Sequence, residues 1–417
     1  MKVVELICAP VRTGFYFDDH KAIKAGAEPD GFNYRGTPQT KGFSRVRQPG
    51  EGVSVMLRLA NGALAHGDCA AVQYSGVDGR DELFLSADAM AVIDRVVKPW
   101  VEGRNLTTFR ELAQEADQLV DEATGRRLHT AIRYGLTQAL LDAVAQAGQK
   151  TMVEVVAAEY GLTPVAEAIP ILAQSGDERY LNAEKMIMKA VDALPHGLFN
   201  NVETKLGQRG EKLLAYAQWL KQRIEELKPS PNYQPTIHLD LYGTLGHALK
   251  EDPDAIVTYL SQLEQTVAPY PILVEDPVVL GDRSAQLELL RTLTQRLAAA
   301  GSQVTLVADQ WCNTLDDIKE FVLAQAVGMI QIKTPDLGGL HNTIEAILFC
   351  KEHEVAAYLG GTCNETDRSA RICTQIALAT GPALIMAKPG MGVDEGYMIV
   401  FNEMSRLLAL NRSAARD

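Results

Sequence analysis

Thr236-Ile237-His238-Leu239-Asp240, Ile272-Leu273-Val274-Glu275, Val304-Thr305-Leu306-Val307-Ala308-Asp309 and Met329-Ile330-Gln331-Ile332-Lys333 repeat one pattern. Each is a short apolar run that closes on a charged residue, and the segments between them carry apolar residues at helical spacing. Strands alternating with helices spell βαβ units. Two further runs, Ala168–Ala173 and Ala356–Leu359, close on Gln174 and on Gly360-Gly361-Thr362. A doubly wound sheet would give the same alternation but would scatter these terminal groups along an edge. A β/α barrel gathers the C-terminal strand ends on one rim, so the recurring polar terminus favours the barrel.

Asp240, Glu275 and Asp309 are separated by 35 and 34 residues, about the length of one βα unit, so neighbouring strands would present them together. Three clustered carboxylates repel one another unless a hard cation neutralises them. Oxygen-only ligation with room for water and a substrate oxygen suits Mg²⁺. Lys333 closes the next strand, and a lysine beside a divalent cation in a cleft can serve as a base near neutral pH. Taken singly, a strand-end carboxylate usually caps a helix and a rim lysine is usually solvated. Four in succession point instead to chemistry.

Upstream of the barrel, Lys2–Ala9 is β-rich, and Val53–Leu59 and Ala63–His66 flank the hairpin signal Asn61-Gly62. From about Ser86 the period turns helical. Leu128–Ala147 places apolar residues on a helix, with Gly148 as its expected stop. This organisation predicts an α+β capping domain over residues 1–160 and a β/α barrel over 161–417.

At 417 residues the chain exceeds the size of a single growing core, which agrees with two domains. The net charge of −13, from 40 basic and 53 acidic residues, disfavours a nucleic-acid partner and means that an anionic substrate needs a local cation to hold it. Six cysteines without a C-x-x-C pair argue against a zinc ribbon or a disulfide framework and fit a reducing cytoplasm. The N-terminus meets charge and Pro10 too early for a signal peptide. The long uncharged stretch Ile372–Ala387 is interrupted by Gly381-Pro382, so no membrane span is expected.

Longer blocks carry a resemblance. His238–Gly243, Val274–Pro277, Ala308–Thr314 and Gln331–Gly339, with Gly14–Asp19, Gly67–Gly76, Gly360–Thr366 and Lys388-Pro389-Gly390-Met391-Gly392, resemble the methylaspartate ammonia-lyase family within the enolase superfamily. The match spans nearly the whole chain. It implies an enolase-like TIM-type barrel in which Asp240, Glu275 and Asp309 hold Mg²⁺ and Lys333 takes the C3 proton of (2S,3S)-3-methylaspartate. Ammonia then leaves C2 to give mesaconate. His196, in Leu194-Pro195-His196-Gly197, matches the family's second base, on the opposite face and associated with the (2S,3R) epimer. Gln174, Gln331, Thr362 and the backbone at Cys363 resemble contacts to the substrate's carboxylates and amino group, while Gln73 would reach in from the small domain. The resemblance further implies a homodimer, K⁺ as a monovalent activator and a role in amino-acid fermentation.

Three positions depart from the family pattern. Asp276 stands where Gly is usual, Gln310 where Glu follows the metal-binding aspartate, and Met386 where Leu is common. Asp276 and Gln310 bear on the metal, and Met386 on the alkyl group at C3. Two other readings fit part of the sequence: another enolase-superfamily reaction such as epimerisation, which the paired bases would suit, and a non-catalytic protein that keeps the fold.

Overall fold

The computed structural model describes residues 1–77, 79–391 and 393–414; Gly392 of the last matched block lies outside them. Two β-rich bodies are built by two different strand chemistries.

The first is a three-stranded antiparallel sheet of β1 (Val3–Asp18), β4 (Arg47–Leu59) and β5 (Leu64–Cys69), with the hairpin β2 (Glu28–Asp30) and β3 (Asn33–Arg35) inserted between β1 and β4. Val53, Val55, Leu57 and Leu59 of β4 are buried at every second position, the signature of a sheet with one covered face. Asn61-Gly62 makes the expected turn, with Gly62 at a φ of 86°. The covering element is the helix Thr130–Gly148. It sits directly on β5 because both surfaces offer a glycine. A Cβ at Gly67 would lie 2.1 Å from the Gly135 carbonyl oxygen, and one at Gly135 would lie 2.4 Å from the Cys69 nitrogen. The expected helix stop is displaced by one residue: Gly148 is still helical, and Gln149 takes the left-handed turn at a φ of 53°. A two-stranded hairpin, β6 (Val120–Asp121) and β7 (Arg126–Arg127), precedes this helix.

The second body is a closed, all-parallel barrel of eight strands: β8 (Ile171–Leu172), β9 (Ala193–Leu198), β10 (Thr236–Asp240), β11 (Ile272–Glu275), β12 (Thr305–Ala308), β13 (Met329–Ile332), β14 (Ala356–Leu359) and β15 (Leu384–Met386). Leu172, Ala193, Leu273, Val307, Met329, Tyr358, Leu384 and Met386 fill its interior, so it is a packed core and not a pore. Helices such as Glu211–Leu227, Pro253–Val267 and Arg283–Ala299 bury their apolar stripes on its outside.

Six strands coincide with the apolar runs read from the sequence. β9 and β15 do not. β15 is only three residues long and hides in the uncharged stretch after Gly381-Pro382. β9 carries Pro195 and Gly197, residues that disfavour a strand interior. Its pairing with β10 also slips: Pro195 faces His238, but Gly197 faces Leu239. His196 is the extra residue of this bulge, at a φ of 45°. Bulges re-aim side chains and break alternation, which is why a strand containing a site residue was not visible as a strand. Among the described residues no helix is long and apolar enough to cross a membrane.

Candidate active site

Each strand end delivers at least one residue to the same rim. Asp240 and Glu275 are the last residues of β10 and β11, while Asp309 and Lys333 immediately follow β12 and β13. Gln331 lies within β13, and Met386 ends β15. Gln174 follows β8, and the bulge turns His196 of β9 toward the same space. Thr362 and Cys363 come from the loop after β14, and Gln73 from the loop after β5. Every one of these residues lines a single pocket at the mouth of the barrel. Tyr74, Arg80, Tyr242, Gln310 and Met391 line it too, and none of these was assigned a substrate contact from sequence.

The charged groups are in contact. Lys333 Nζ donates to Asp309 Oδ2 at 2.7 Å, and Gln331 Nε2 donates to Glu275 Oε1 at 3.1 Å. His196 Nε2 lies 3.3 Å from Glu275 Oε2 and 4.0 Å from Asp240 Oδ2. His238 Nε2 approaches the same Glu275 oxygen to 3.1 Å. Neither imidazole contact has hydrogen-bond geometry, so Glu275 Oε2 and both ring nitrogens of each histidine are buried without a hydrogen-bond partner among the described residues. Native interiors rarely leave so many polar atoms unpaired in one place.

Burial and the neighbouring Glu275 charge push the Asp240 carboxyl well above the ordinary range. Asp276 rises for the same reasons, burial first and then Asp309 and Glu275. Burial works in the same direction on Glu275, but the His196 and His238 imidazoles outweigh it and hold Glu275 low. Burial would lower His196, but Glu275 and Asp240 outweigh it and push it up to about 9. His238 is lowered by burial. Like charges crowded in a dry site thus resist sharing it, which is the situation a divalent cation relieves.

Two ligand sets compete for such a cation. One ligand atom each from His196, His238 and Glu275 falls within a 4.8 Å cluster, a nitrogen-rich set that would suit a transition metal. His238, however, is fully enclosed and does not line the pocket, so it leaves no open side for water or substrate. Asp240, Glu275 and Asp309 all face the cavity and offer only oxygen, the donor set of Mg²⁺ with open positions. Glu275 Oε2, flanked by the two imidazoles, is common to both sets.

The departures at Asp276 and Gln310 have local explanations. Asp276 adopts a φ of 42°, a conformation natural to glycine, and its carboxylate accepts from the backbone N–H groups of Asp309 and Gln310, both at 3.2 Å. Those bonds offset the strain and tie the β11 and β12 loops together. Gln310 Nε2 donates to Asp309 Oδ2 at 3.3 Å. Met386 packs against the Gln174 amide, whose Nε2 lies 3.5 Å from its sulfur and 3.2 Å from the Gly390 carbonyl.

Residues that received no role from sequence also support the rim. Lys388 and Glu365 form a fully buried pair at 2.8 Å, joined by Thr334 and Tyr134. Both lie in blocks quoted for their resemblance. The available signal was a charged residue amid apolar neighbours, as in Ile385-Met386-Ala387-Lys388. His238 shows the same kind of signal, an ionisable residue between Ile237 and Leu239.

Comparison with known proteins agrees over the full length. Residues 1–161 match the family described as Methylaspartate ammonia-lyase N-terminus, and residues 163–413 match Methylaspartate ammonia-lyase C-terminus. Methylaspartate ammonia-lyase 1 of Carboxydothermus hydrogenoformans is 55% identical over 410 residues, covering 98% of this chain and 97% of the relative. The crystal structure of β-methylaspartase from Clostridium tetanomorphum, a Mg complex, superposes with a TM-score of 0.95 at 51% identity, covering 100% of both chains. The Citrobacter amalonaticus methylaspartate ammonia lyase containing (2S,3S)-3-methylaspartic acid gives 0.97 at 51% identity, covering 99% of this chain and 100% of that one. With eight parallel strand ends converging on three carboxylates and a lysine, and with matches of this extent, the chain belongs to the methylaspartate ammonia-lyase family.

Proposed function

We propose that this chain is a Mg²⁺-dependent carbon–nitrogen lyase that reversibly eliminates ammonia from (2S,3S)-3-methylaspartate to give mesaconate. The observation that carries this reading is the placement of Lys333 Nζ 2.7 Å from Asp309, beside two further strand-end carboxylates in one pocket. A C3 proton next to an ionised carboxylate is barely acidic, because its removal adds a second charge to that carboxylate. Mg²⁺ held by Asp240, Glu275 and Asp309 would supply the Lewis-acid charge compensation.

The remaining roles belong to the chain's own side chains. Lys333 Nζ takes the C3 proton of the (2S,3S) substrate, and His196, on β9 across the pocket, serves the opposite face and the (2S,3R) epimer. Gln174, Gln331, Thr362 and the Cys363 backbone orient the carboxylates and amino group with neutral donors and acceptors, which adds no titratable group to compete with the base. Gln73 closes the site from the capping domain; with its Nε2 committed to Asp18 it offers an acceptor oxygen, which matches the amino group, the only N–H donor of the substrate. Met386 borders the C3 alkyl group, and its flexible side chain tolerates shape changes there. Cys363 needs no nucleophilic role: burial pushes its thiol up to about 12, and the elimination requires no covalent intermediate. The same reading assigns residues 1–160 to the cap and 161–417 to the catalytic barrel, in a cytoplasmic homodimer activated by K⁺. Family membership supports these last points.

Incubation with threo-3-methylaspartate and Mg²⁺ should produce mesaconate and free ammonia in equal amounts. Interconversion of C3 epimers without ammonia release would favour the epimerase reading. Neither product appearing with metal supplied would overturn the assignment.

A further inference from the structure

Gln73 enters the pocket from the capping domain, and its amide is held from behind. Asp18, at the end of β1 and 1% exposed, accepts a hydrogen bond from Gln73 Nε2 at 2.7 Å. The Asp18 backbone N–H also donates to the Gln73 carbonyl at 3.1 Å, so both parts of Gln73 are registered against the strand. Asp18 is itself clamped. Arg47 Nε and Nη2 donate to its two oxygens at 2.7 Å each, a bidentate fork. The Arg47 guanidinium lies 4.5 Å over the Phe32 ring and 4.9 Å over Tyr34, and it donates to the Phe32 carbonyl at 2.7 Å.

This arrangement decides which end of the Gln73 amide faces the substrate. A carboxylate paired to a guanidinium only accepts, so the NH₂ group must point at Asp18 and the oxygen into the pocket. A second contact agrees: Cys363 Sγ, protonated because burial raises it, donates to Gln73 Oε1 at 3.6 Å. A carbonyl oxygen has two lone pairs, which leaves one for the substrate.

We infer that Asp18, clamped by Arg47, is a positioning and specificity-determining residue that fixes Gln73 as an acceptor for the N–H groups of the reacting amine. The inference rests on the placement of Gln73 at the amino-group end proposed above. The chemistry explains why orientation matters. In the addition direction the nitrogen lone pair must form the bond to C2 while C3 gains a proton. An acceptor binds the amine through its N–H groups and leaves the lone pair free, whereas an amide N–H turned inward would occupy the lone pair. In the elimination direction the same oxygen favours the protonated leaving amine. Asp18 touches no substrate atom and acts through Gln73.

The test is steady-state addition of ammonia to mesaconate with Mg²⁺, using Asp18→Asn, Gln73→Ala and the double variant. Asn at position 18 can donate to the Gln73 oxygen and so lets the amide turn over. Asp18→Asn should lower kcat/KM for ammonia by about 10- to 100-fold, because the nitrogen becomes cationic as the C–N bond forms and a hydrogen bond to a charged group carries about that factor. The KM for mesaconate should change by less than about twofold, the ordinary reading of a group that binds only the nitrogen substrate. In the Gln73→Ala background the Asp18 substitution should add nothing. Native ammonia kinetics in Asp18→Asn, or an equal loss with and without Gln73, would overturn the inference. Native ammonia kinetics in Gln73→Ala would instead refute the placement of Gln73 beside the amine. Should Asp18→Asn fail to fold, Arg47→Lys loosens the clamp from the outside; an unchanged kcat/KM for ammonia there overturns the inference as well.

Discussion

Lys388 and Glu365 are as deeply buried as Glu275 and His238, on the same rim of the same barrel, yet the two groups of charge are built in opposite ways. Lys388 Nζ meets Glu365 Oε1 at 2.8 Å, the Gly360 carbonyl at 2.7 Å and Thr334 Oγ1 at 3.4 Å. Glu365 also accepts from Thr334 at 2.9 Å and from Tyr134 of the helix Thr130–Gly148 at 2.8 Å. A Cβ at Gly361 would strike Glu365 at 2.3 Å and Lys388 at 2.5 Å, so the backbone closes over the pair. In the carboxylate cluster, by contrast, Glu275 Oε2, Gln331 Oε1, the nitrogens of His196 and His238 and the Tyr358 hydroxyl have no hydrogen-bond partner among the described residues. An unpaired buried polar group costs about 1–3 kcal/mol. A closed network holds structure, and an open one keeps its bonding capacity for a ligand. The two meet at adjacent residues, since Thr334 of the closed network follows Lys333 of the open one, which fixes the base by its neighbour.

Removing a cation from each network should therefore have different consequences. Lys333→Ala, in the open network, should lower kcat by about 10²–10⁴, the usual loss of a general base, with little change in melting temperature. Solvent deuterium exchange at C3 of the (2S,3S) substrate checks the role. Exchange at the native rate in this variant would place the base elsewhere.

Lys388→Met, in the closed network, should instead cost about 3–5 kcal/mol of stability, because it leaves Glu365 buried and unpaired. Denaturant unfolding measures this. Adding Glu365→Leu should recover a large part of the loss, since a buried pair replaced by apolar groups is often neutral. A Lys388→Met protein with the native unfolding midpoint would remove the distinction between the two networks.

The smallest effect sharpens the comparison from the ligand side. At a hundredfold excess over its dissociation constant, Mg²⁺ should stabilise the protein by about 2.7 kcal/mol, because it binds only the folded cluster. Asp309→Asn should reduce that gain, whereas Lys388→Met should preserve it relative to its own metal-free state. Thermal melts with and without chelator decide the point. Equal stabilisation of the native protein and Asp309→Asn would argue against the carboxylate set as the cation's site.

Much of this was legible from local pattern. Apolar runs ending in Asp240, Glu275, Asp309 and Lys333 at intervals of one βα unit imply the barrel and its rim, because strand direction and side-chain period are local properties of the chain. The hairpin at Asn61-Gly62 was readable for the same reason. β9 was not: its bulge at His196 exists only through a pairing slip against β10, and Pro195 and Gly197 conceal a strand from a one-dimensional reading. β15 is too short to show a period.

The amino-acid sequence by itself determined the alternation of strand and helix, the order of the rim residues and, through its long matched blocks, the family. Only the tertiary structure decided which buried charges are satisfied and which are left open. It joined Glu365 to Lys388 and to Tyr134, the latter 231 residues away, and turned the Gln73 amide by means of Asp18, 55 residues distant. Hydrogen bonding is a property of pairs of atoms brought within about 3 Å, and no period along the chain encodes which distant partner arrives there.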